Sequence, residues 1–289
     1  MSGAELIDVL GSAIQLTAVY GIVNIGFVYL YRTTGVINFA QGQMLMLAAM
    51  LIATLQPLVG YGGAIALSVT AMLLAGIVVY YAVARLLGGK RELTKVAVTF
   101  LLALGLTQIA GLAWGSGMRS VAIPAGGYLH VGGGLVPVAS LVSLAGAGVL
   151  AFVLEGLLRR TYVGVQMRAL AEDETLAAYQ GMRRNALQAA AWAVAFVCAA
   201  LAAAVYIERA PVVISMSDVG LSAFPAAVIG GMDNVGGAFV GAVLVALLES
   251  FMSLFFGGDV ADAVSYALML VVLVLLPYGL LGRQPSVRL

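Results

Sequence analysis

Charge is what this sequence has least of. Only 9% of its 289 residues are Asp, Glu, Lys or Arg, against about 25% in an ordinary soluble domain. That shortage excludes a disordered chain, a nucleic-acid-binding domain and a typical soluble enzyme. One cysteine, Cys198, makes an internal disulfide impossible and leaves the redox compartment unread. One histidine, His130, stands without a second histidine or a neighbouring cysteine, so no metal site is expected. No G-x-x-x-x-G-K-[ST] loop is present, so the chain has no Walker-type means of holding ATP. No nucleophile, base and acid stand at workable spacing, so it is read as a non-enzyme that needs no cofactor of its own. Alternating apolar and polar positions are missing, which excludes a transmembrane β-barrel. Residues 1–8 contain Glu5 and Asp8 but no Lys or Arg. They lack the basic start of a cleavable signal, and the first apolar segment is expected to stay as a span.

What is present is apolar length. Hydrophobic residues make up 63% of the chain and the mean hydropathy is +1.08. The expected class is all-α, a polytopic transmembrane helical bundle forming one domain over residues 1–289. A hydrocarbon core of about 30 Å needs about 20 apolar residues. On that measure full spans are expected near 9–31, 36–56, 63–87, 93–113, 137–157, 186–207, 236–256 and 262–281. The shorter run 219–231 reads as a re-entrant or half-helix piece. The 36 glycines lie inside apolar segments, where helices use them to pack closely. Gly111-x-x-x-Gly115 and Gly237-x-x-x-Gly241 have the spacing for it, either within the chain or between subunits.

Basic residues set the orientation. Nine of the fourteen Lys and Arg fall in 85–95 and 159–184. Two expected spans separate these segments, so both face the cytoplasm and the N-terminus faces outside. Eight spans then leave the C-terminus outside, although Arg283 and Arg288 follow the last one; a crossing by 219–231 removes the conflict.

Residues 158–185 form the one extended polar stretch, with five arginines and Glu172, Asp173 and Glu174. It suits a solvated connector or a docking helix. The pattern E-x-x-A-A-x-x-G from Glu174 to Gly181 favours docking, because small residues let a partner surface approach and glycine permits a sharp turn. This stretch resembles the coupling segment of ABC-importer permeases, with Thr175-Leu176 standing before Ala177-Ala178 where that pattern has a strict E-A-A. Three further stretches are similar to one family in particular. TTGVINFAQGQMLMLAAM (33–50) is similar to its second-span motif, FPAAVIGGMDNVGGAFVGAVLVALLES (224–250) to its glycine-rich signature, and PYGLLG (277–282) to its terminal P-x-G-L-F-G. This is the branched-chain amino-acid ABC-transporter permease family, which includes urea and short-amide permeases. The resemblance implies a multi-pass bacterial inner-membrane subunit that passes branched-chain or related hydrophobic amino acids inward. It also implies a second related permease, an external solute-binding protein and two cytoplasmic ATPases that bind ATP and Mg, all within a lipid bilayer. Arg168, Glu174, Ala177, Ala178 and Gly181 are the expected ATPase-coupling residues.

Polar groups within the spans are few, and each needs a partner or a function. Asn24 lies in the first span, Asn38, Gln41 and Gly42 open the second, and Asp233, Asn234, Gly236 and Gly237 open the seventh. Singly they read as helix caps and turns; together they are the expected lining of a translocation path. The loose likeness of 39–42 to 235–238 suggests an internal repeat of interrupted helices. Glu249, near a span end, either snorkels to the membrane interface, the favoured expectation, or pairs inside the bundle. No Lys or Arg stands mid-span, which argues against a proton-coupled carrier. Two rivals stay open: a permease of the same family for urea or short amides, and a homo-oligomeric channel or secondary carrier.

Overall fold

The computed structural model describes residues 3–83, 85, 90–123, 127–131, 134–172 and 174–282. Among them, seven helices are long and apolar enough to cross a membrane. They are α1 (Gly3–Thr34), α2 (Gln41–Ala82), α3 (Glu92–Trp114), α4 (Val138–Arg160), α7 (Arg184–Tyr206), α9 (Val235–Phe256) and α10 (Gly258–Leu275). Between them lie α5 (Tyr162–Glu172), α6 (Glu174–Tyr179), the hairpin of β1 (Tyr128–Val131) and β2 (Gly134–Pro137), a 3₁₀ turn (Ile214–Ser217) and α8 (Asp218–Gly230). The all-α membrane bundle expected from composition is what forms. α1 and α7 are its most buried spans, and α7, rich in alanine, lets α1 and α2 pack tightly against it.

α2 accounts for the difference between seven helices and eight expected spans. Its 42 residues laid straight would extend about 63 Å, twice the hydrocarbon thickness of about 30 Å. At Gly60 the backbone takes φ 75° and ψ 173°, a conformation open essentially to glycine alone. Pro57, just before it, weakens the helix by removing a donor. The chain then folds back, because Ser68 Oγ donates to the Ala48 carbonyl at 3.1 Å. Those residues would be about 30 Å apart in a straight helix. Two antiparallel legs result, 41–59 and 61–82, matching two separate expected spans.

The remaining crossing is α8. Arg209 reaches the Ser12 carbonyl of α1 at 3.2 Å, whereas Phe224 stacks edge-on against Phe27 of α1, ring centroids 5.9 Å apart. Between Arg209 and Phe224 the chain therefore descends about 22 Å along α1, at 1.5 Å per residue. An extended stretch whose Val212 pairs with Arg119, the 3₁₀ turn and α8 together make the crossing. α9 returns beside α8, and α10 descends again. α10 was expected to fill 262–281 but ends at Leu275, because Pro277 cannot continue a helix and restricts the residue before it. The chain turns at Gly279 (φ 77°). Leu280 N–H then donates to Ile229 O at 2.7 Å and Leu281 N–H to Gly230 O at 3.1 Å. The segment after α10 thus lies at the end of the bundle holding Arg32, Arg159 and α5–α6, here termed the basic end. This removes the conflict over the side of the C-terminal segment; Arg283 and Arg288 themselves lie outside the described residues.

Candidate functional site

Two helices begin in the middle of the bundle. α1 stops at Gly35, whose N–H caps the Tyr31 carbonyl at 2.8 Å and whose φ is 65°. The chain climbs back through 36–40 and starts α2 at Gln41. The depth of that start is fixed by α1 and α7. A Cβ at Gly26 would stand 2.6 Å from Gln41 Nε2, and this amide donates to the Ala195 carbonyl, midway along α7, at 3.1 Å. Asn38 shapes the turn. Its Oδ1 accepts from Ala40 N–H at 3.1 Å, and its Nδ2 donates to Gln41 Oε1 at 3.3 Å and faces Met44 Sδ at 3.5 Å. Both amides are buried, which these partners make tolerable.

Gly42 brings the second helix start alongside. A Cβ there would overlap the Ser217 carbonyl, and one at Gly220 would overlap Gly42. Only a glycine pair allows this approach. The first turns of α2 and α8 therefore meet at mid-depth with their positive ends, the arrangement that broken helices adopt around solute sites in transporters. Phe39 and Phe224 stand beside the junction with ring centroids 5.7 Å apart. Outside Phe39 an apolar groove of about 580 Å³ runs along α3, lined by Leu93, Val96, Ala97, Phe100 and Leu101. Asn24 is buried, and neither its Oδ1 nor its Nδ2 has a hydrogen-bond partner among the described residues.

The second predicted polar group sits elsewhere. Asp233, Asn234, Gly236 and Gly237 lie at the α8–α9 turn on the basic end. Asn234 caps α9, its Oδ1 accepting from Gly237 N–H at 3.2 Å while its Nδ2 donates to Leu281 O at 3.0 Å. A Cβ at Gly237 would overlap the Gly230 carbonyl, and one at Gly241 the Ala226 carbonyl. The Gly237–Gly241 pair thus packs α9 on α8 within the chain, whereas Gly111 has nothing within 4 Å. Gly236 is exposed. The structure does not bring these four residues to Asn38, Gln41 and Gly42. Gly42 meets Gly220 instead of a repeat at 235–238.

Below the junction, α5 and α6 cross the basic end. Tyr29 of α1 points its hydroxyl at Met167 Sδ, 3.6 Å away. Arg32 bonds Glu155 of α4 at 2.9 Å, and Arg159 pairs with the same carboxylate. Arg168 is half-buried, its Nε without a hydrogen-bond partner. Ala177 is buried against the chain's own core, and Gly181 turns the chain after α6 with φ 73° and open space around it. Glu174 opens α6 and Ala178 lies within it, but their side chains fall outside the described residues. The large apolar side chains that α5 and α6 present outward are Tyr162, Val163, Val165, Leu176 and Tyr179, the last 85% exposed, with Glu172 exposed beside them. Leu176 and Tyr179, which the small-residue pattern of Ala177, Ala178 and Gly181 does not mark, are three apart and share a helix face.

Glu249 corrects another expectation. It does not snorkel: it is buried, and Tyr20 of α1 donates to its Oε2 at 2.6 Å. At the end opposite the basic end, Tyr61 donates to Glu208 just beyond α7 at 3.2 Å. Partial burial raises the Glu208 carboxyl above its ordinary range, and the Tyr61 bond offsets this in part.

Residues 9–273 match the family described as "Branched-chain amino acid transport system / permease component". Among characterised proteins, the chain is similar to the high-affinity branched-chain amino acid transport system permease protein LivH of Escherichia coli strain K12. Identity is 27% over 297 residues, covering 94% of each chain. BraD of Pseudomonas aeruginosa, a permease protein of the same description, is 26% identical over 290 residues, again covering 94% of each. A probable branched-chain permease of Methanocaldococcus jannaschii is 24% identical, covering 95% of this chain and 92% of that one. In three dimensions the fold is similar to PsaBC from Streptococcus pneumoniae in complex with Fab. The TM-score is 0.50 at 14% identity, covering 92% of this chain and 91% of that one.

Proposed function

Because this chain belongs to the family of permease components of branched-chain amino acid transport systems, we propose that it is the gate of an ATP-driven importer for branched-chain or related hydrophobic amino acids. It is a multi-pass inner-membrane protein and a transport component, not a catalyst. The observation that carries the importer reading is the exposed α5–α6 surface, set directly beneath the junction of two broken helices. A channel or a secondary carrier has no use for an apolar docking face there. In this reading two ATPases, which bind ATP and Mg, engage Leu176, Tyr179 and the Gly181 turn. A second related permease completes the path, and an external binding protein delivers the solute.

The force path follows from packing. α5 is anchored to α1 through Tyr29 and Met167, and Arg32 and Arg159 converge on Glu155 to tie α1 to α4. A push on α6 therefore moves α1 and α4 as a body. α1 carries Gly26 against Gln41, so the start of α2 moves with it. The two ATPase states bind α6 differently, and that difference is what biases the gate. The apolar groove beside Phe39 suits an aliphatic side chain better than urea or a short amide.

The test is uptake by the chain reconstituted in vesicles with the ATPases, second permease and binding protein that co-purify with it. Leu176→Glu with Tyr179→Ala is expected to lower ATP-dependent leucine uptake at least tenfold while the purified chain keeps its helical content. Undiminished uptake in that variant removes α6 from the mechanism. Recovery of the chain alone, as a stable homo-oligomer, favours the channel or carrier instead.

A further inference from the structure

Where α8 begins and α10 descends, acid gathers; Arg209 lies within electrostatic reach of Glu249, but its guanidinium donates to the Ser12 carbonyl at 3.2 Å. Asp218 heads α8, Asp259 and Asp262 lie in the first turns of α10, and Glu249 lies behind them on α9. Residues 210–282 contain no Lys or Arg. The three aspartates are exposed on the bundle surface. Asp259 and Asp262 stand at the outer end of α10, while Asp218 heads α8 deeper in the bundle. A carboxylate at that depth faces water rather than lipid tails, so the start of α8 borders the path.

Behind the exposed acids is an incompletely satisfied carboxyl. Glu249 is 5% exposed. Its Oε2 accepts from Tyr20, but its Oε1 has no hydrogen-bond partner. Ser265, 1% exposed, faces the same carboxyl without closing a hydrogen bond of ordinary geometry. Asp262 lies within electrostatic reach of Glu249 and beside Ser222. Tyr266, one turn on, is held by its bond to the Leu221 carbonyl at 2.9 Å. The Oε1 of this buried carboxyl and the Oγ of Ser265 thus leave hydrogen-bonding capacity open, which a compact cation with several N–H groups would fill. Among the described residues no three His, Cys, Asp or Glu side chains converge as a metal cage. A primary ammonium has three donors and no acceptor, and it needs no such cage.

We propose that Glu249, Asp262 and Ser265 form a transient subsite for the α-ammonium group of the amino-acid solute, between the outer mouth and the α2–α8 junction. The proposal rests on the reading of the solute as an amino acid. It supplies, at a different place on the path, an element of recognition that the apolar groove along α3 lacks: a site for the charge that distinguishes an amino acid from urea or a neutral amide.

The test uses the reconstituted importer with its partner subunits. In the wild-type assembly, ethylammonium chloride at millimolar concentration is expected to inhibit leucine uptake several-fold more than sodium chloride at equal ionic strength. Glu249→Gln and Asp262→Asn are expected to cut uptake about tenfold and abolish the ethylammonium inhibition, with Asp262→Glu restoring most of both. Ser265→Ala, the mildest change to packing, is expected to weaken the inhibition about threefold. Equal inhibition of the wild type by the two salts overturns the proposal, whatever the variants do. So does inhibition that persists at full strength in Asp262→Asn. A wild-type assembly that imports urea or acetamide but no leucine brings down the underlying reading of the solute instead, so the two failures are distinct.

Discussion

Gly42 and Gly111 are the same residue under opposite constraints. A Cβ at Gly42 would overlap the Ser217 carbonyl, and one at Gly111 would meet nothing within 4 Å. Gly42→Ala must therefore push α8 away from α2, at a cost of about 1–3 kcal/mol by the usual scale of overpacking. Gly111→Ala is expected to be neutral or to stabilise by roughly 0.5–1 kcal/mol, through helix propensity alone. Thermal unfolding of the two purified variants in detergent reads the difference, and equal melting temperatures would remove the close approach from the account. At the same scale, Tyr20→Phe deletes one donor to a buried carboxyl and leaves a second oxygen of Glu249 without a partner. The expected loss is about 1–3 kcal/mol, seen as a lower melting temperature than for Tyr266→Phe, which removes a hydroxyl that donates to the Leu221 carbonyl.

At the level of the element, α2 makes the clearest case. Gly60 adopts φ 75° with no neighbour within 4 Å, so Gly60→Ala strains the backbone without any clash. The expected cost is roughly 1–3 kcal/mol, whereas Gly62→Ala, also in open space but inside the second leg, is expected to cost nothing. A melting comparison that ranks them the other way would mean that the fold-back is not held by that dihedral. The same helix shows what could be read beforehand. Apolar lengths near 20 residues, with Pro57 and Gly60 between them, mark two spans without any knowledge of neighbours. The 13 residues of α8 mark a half-helix for the same reason of length. The depth at which α2 begins could not be read, because it depends on Gly26 and Ala195, far off in sequence. Nor could the partner of Glu249: a lone carboxylate near a span end looks alike whether it snorkels or meets Tyr20, 229 residues away. Of the residues expected along the path, Asn38, Gln41 and Gly42 cluster because they are near neighbours in the chain. Asn234 caps α9 and Gly237 packs on Gly230 at the basic end, apart from that cluster, a placement which a one-dimensional pattern of amide and glycine does not distinguish. In α6 the alanines stand out by composition, yet burial puts Ala177 inside and leaves Tyr179 exposed.

For the whole molecule, the crossing count decides which parts share a side. With α8 counted as a crossing, α10 ends at the basic end, so the loop before α10 and the turn after it lie on opposite faces of the membrane. Single cysteines at Gly258 and Tyr278, in a Cys198→Ala background, test this with a membrane-impermeant thiol reagent. Position 258 is expected to label in intact cells and position 278 only after permeabilisation; labelling of both from outside would refute the topology. The contacts of that turn also set an order on assembly. The carbonyls of Ile229 and Gly230 are met by amides at 280 and 281, which leave the ribosome about fifty residues later. While α9 and α10 are being made, the end of the half-helix is unsealed, and its exposed carbonyls are available to the insertion machinery. Sealing of the half-helix is then tied to completion of the third crossing past α7, and a chain cut short before Leu280 leaves that end open.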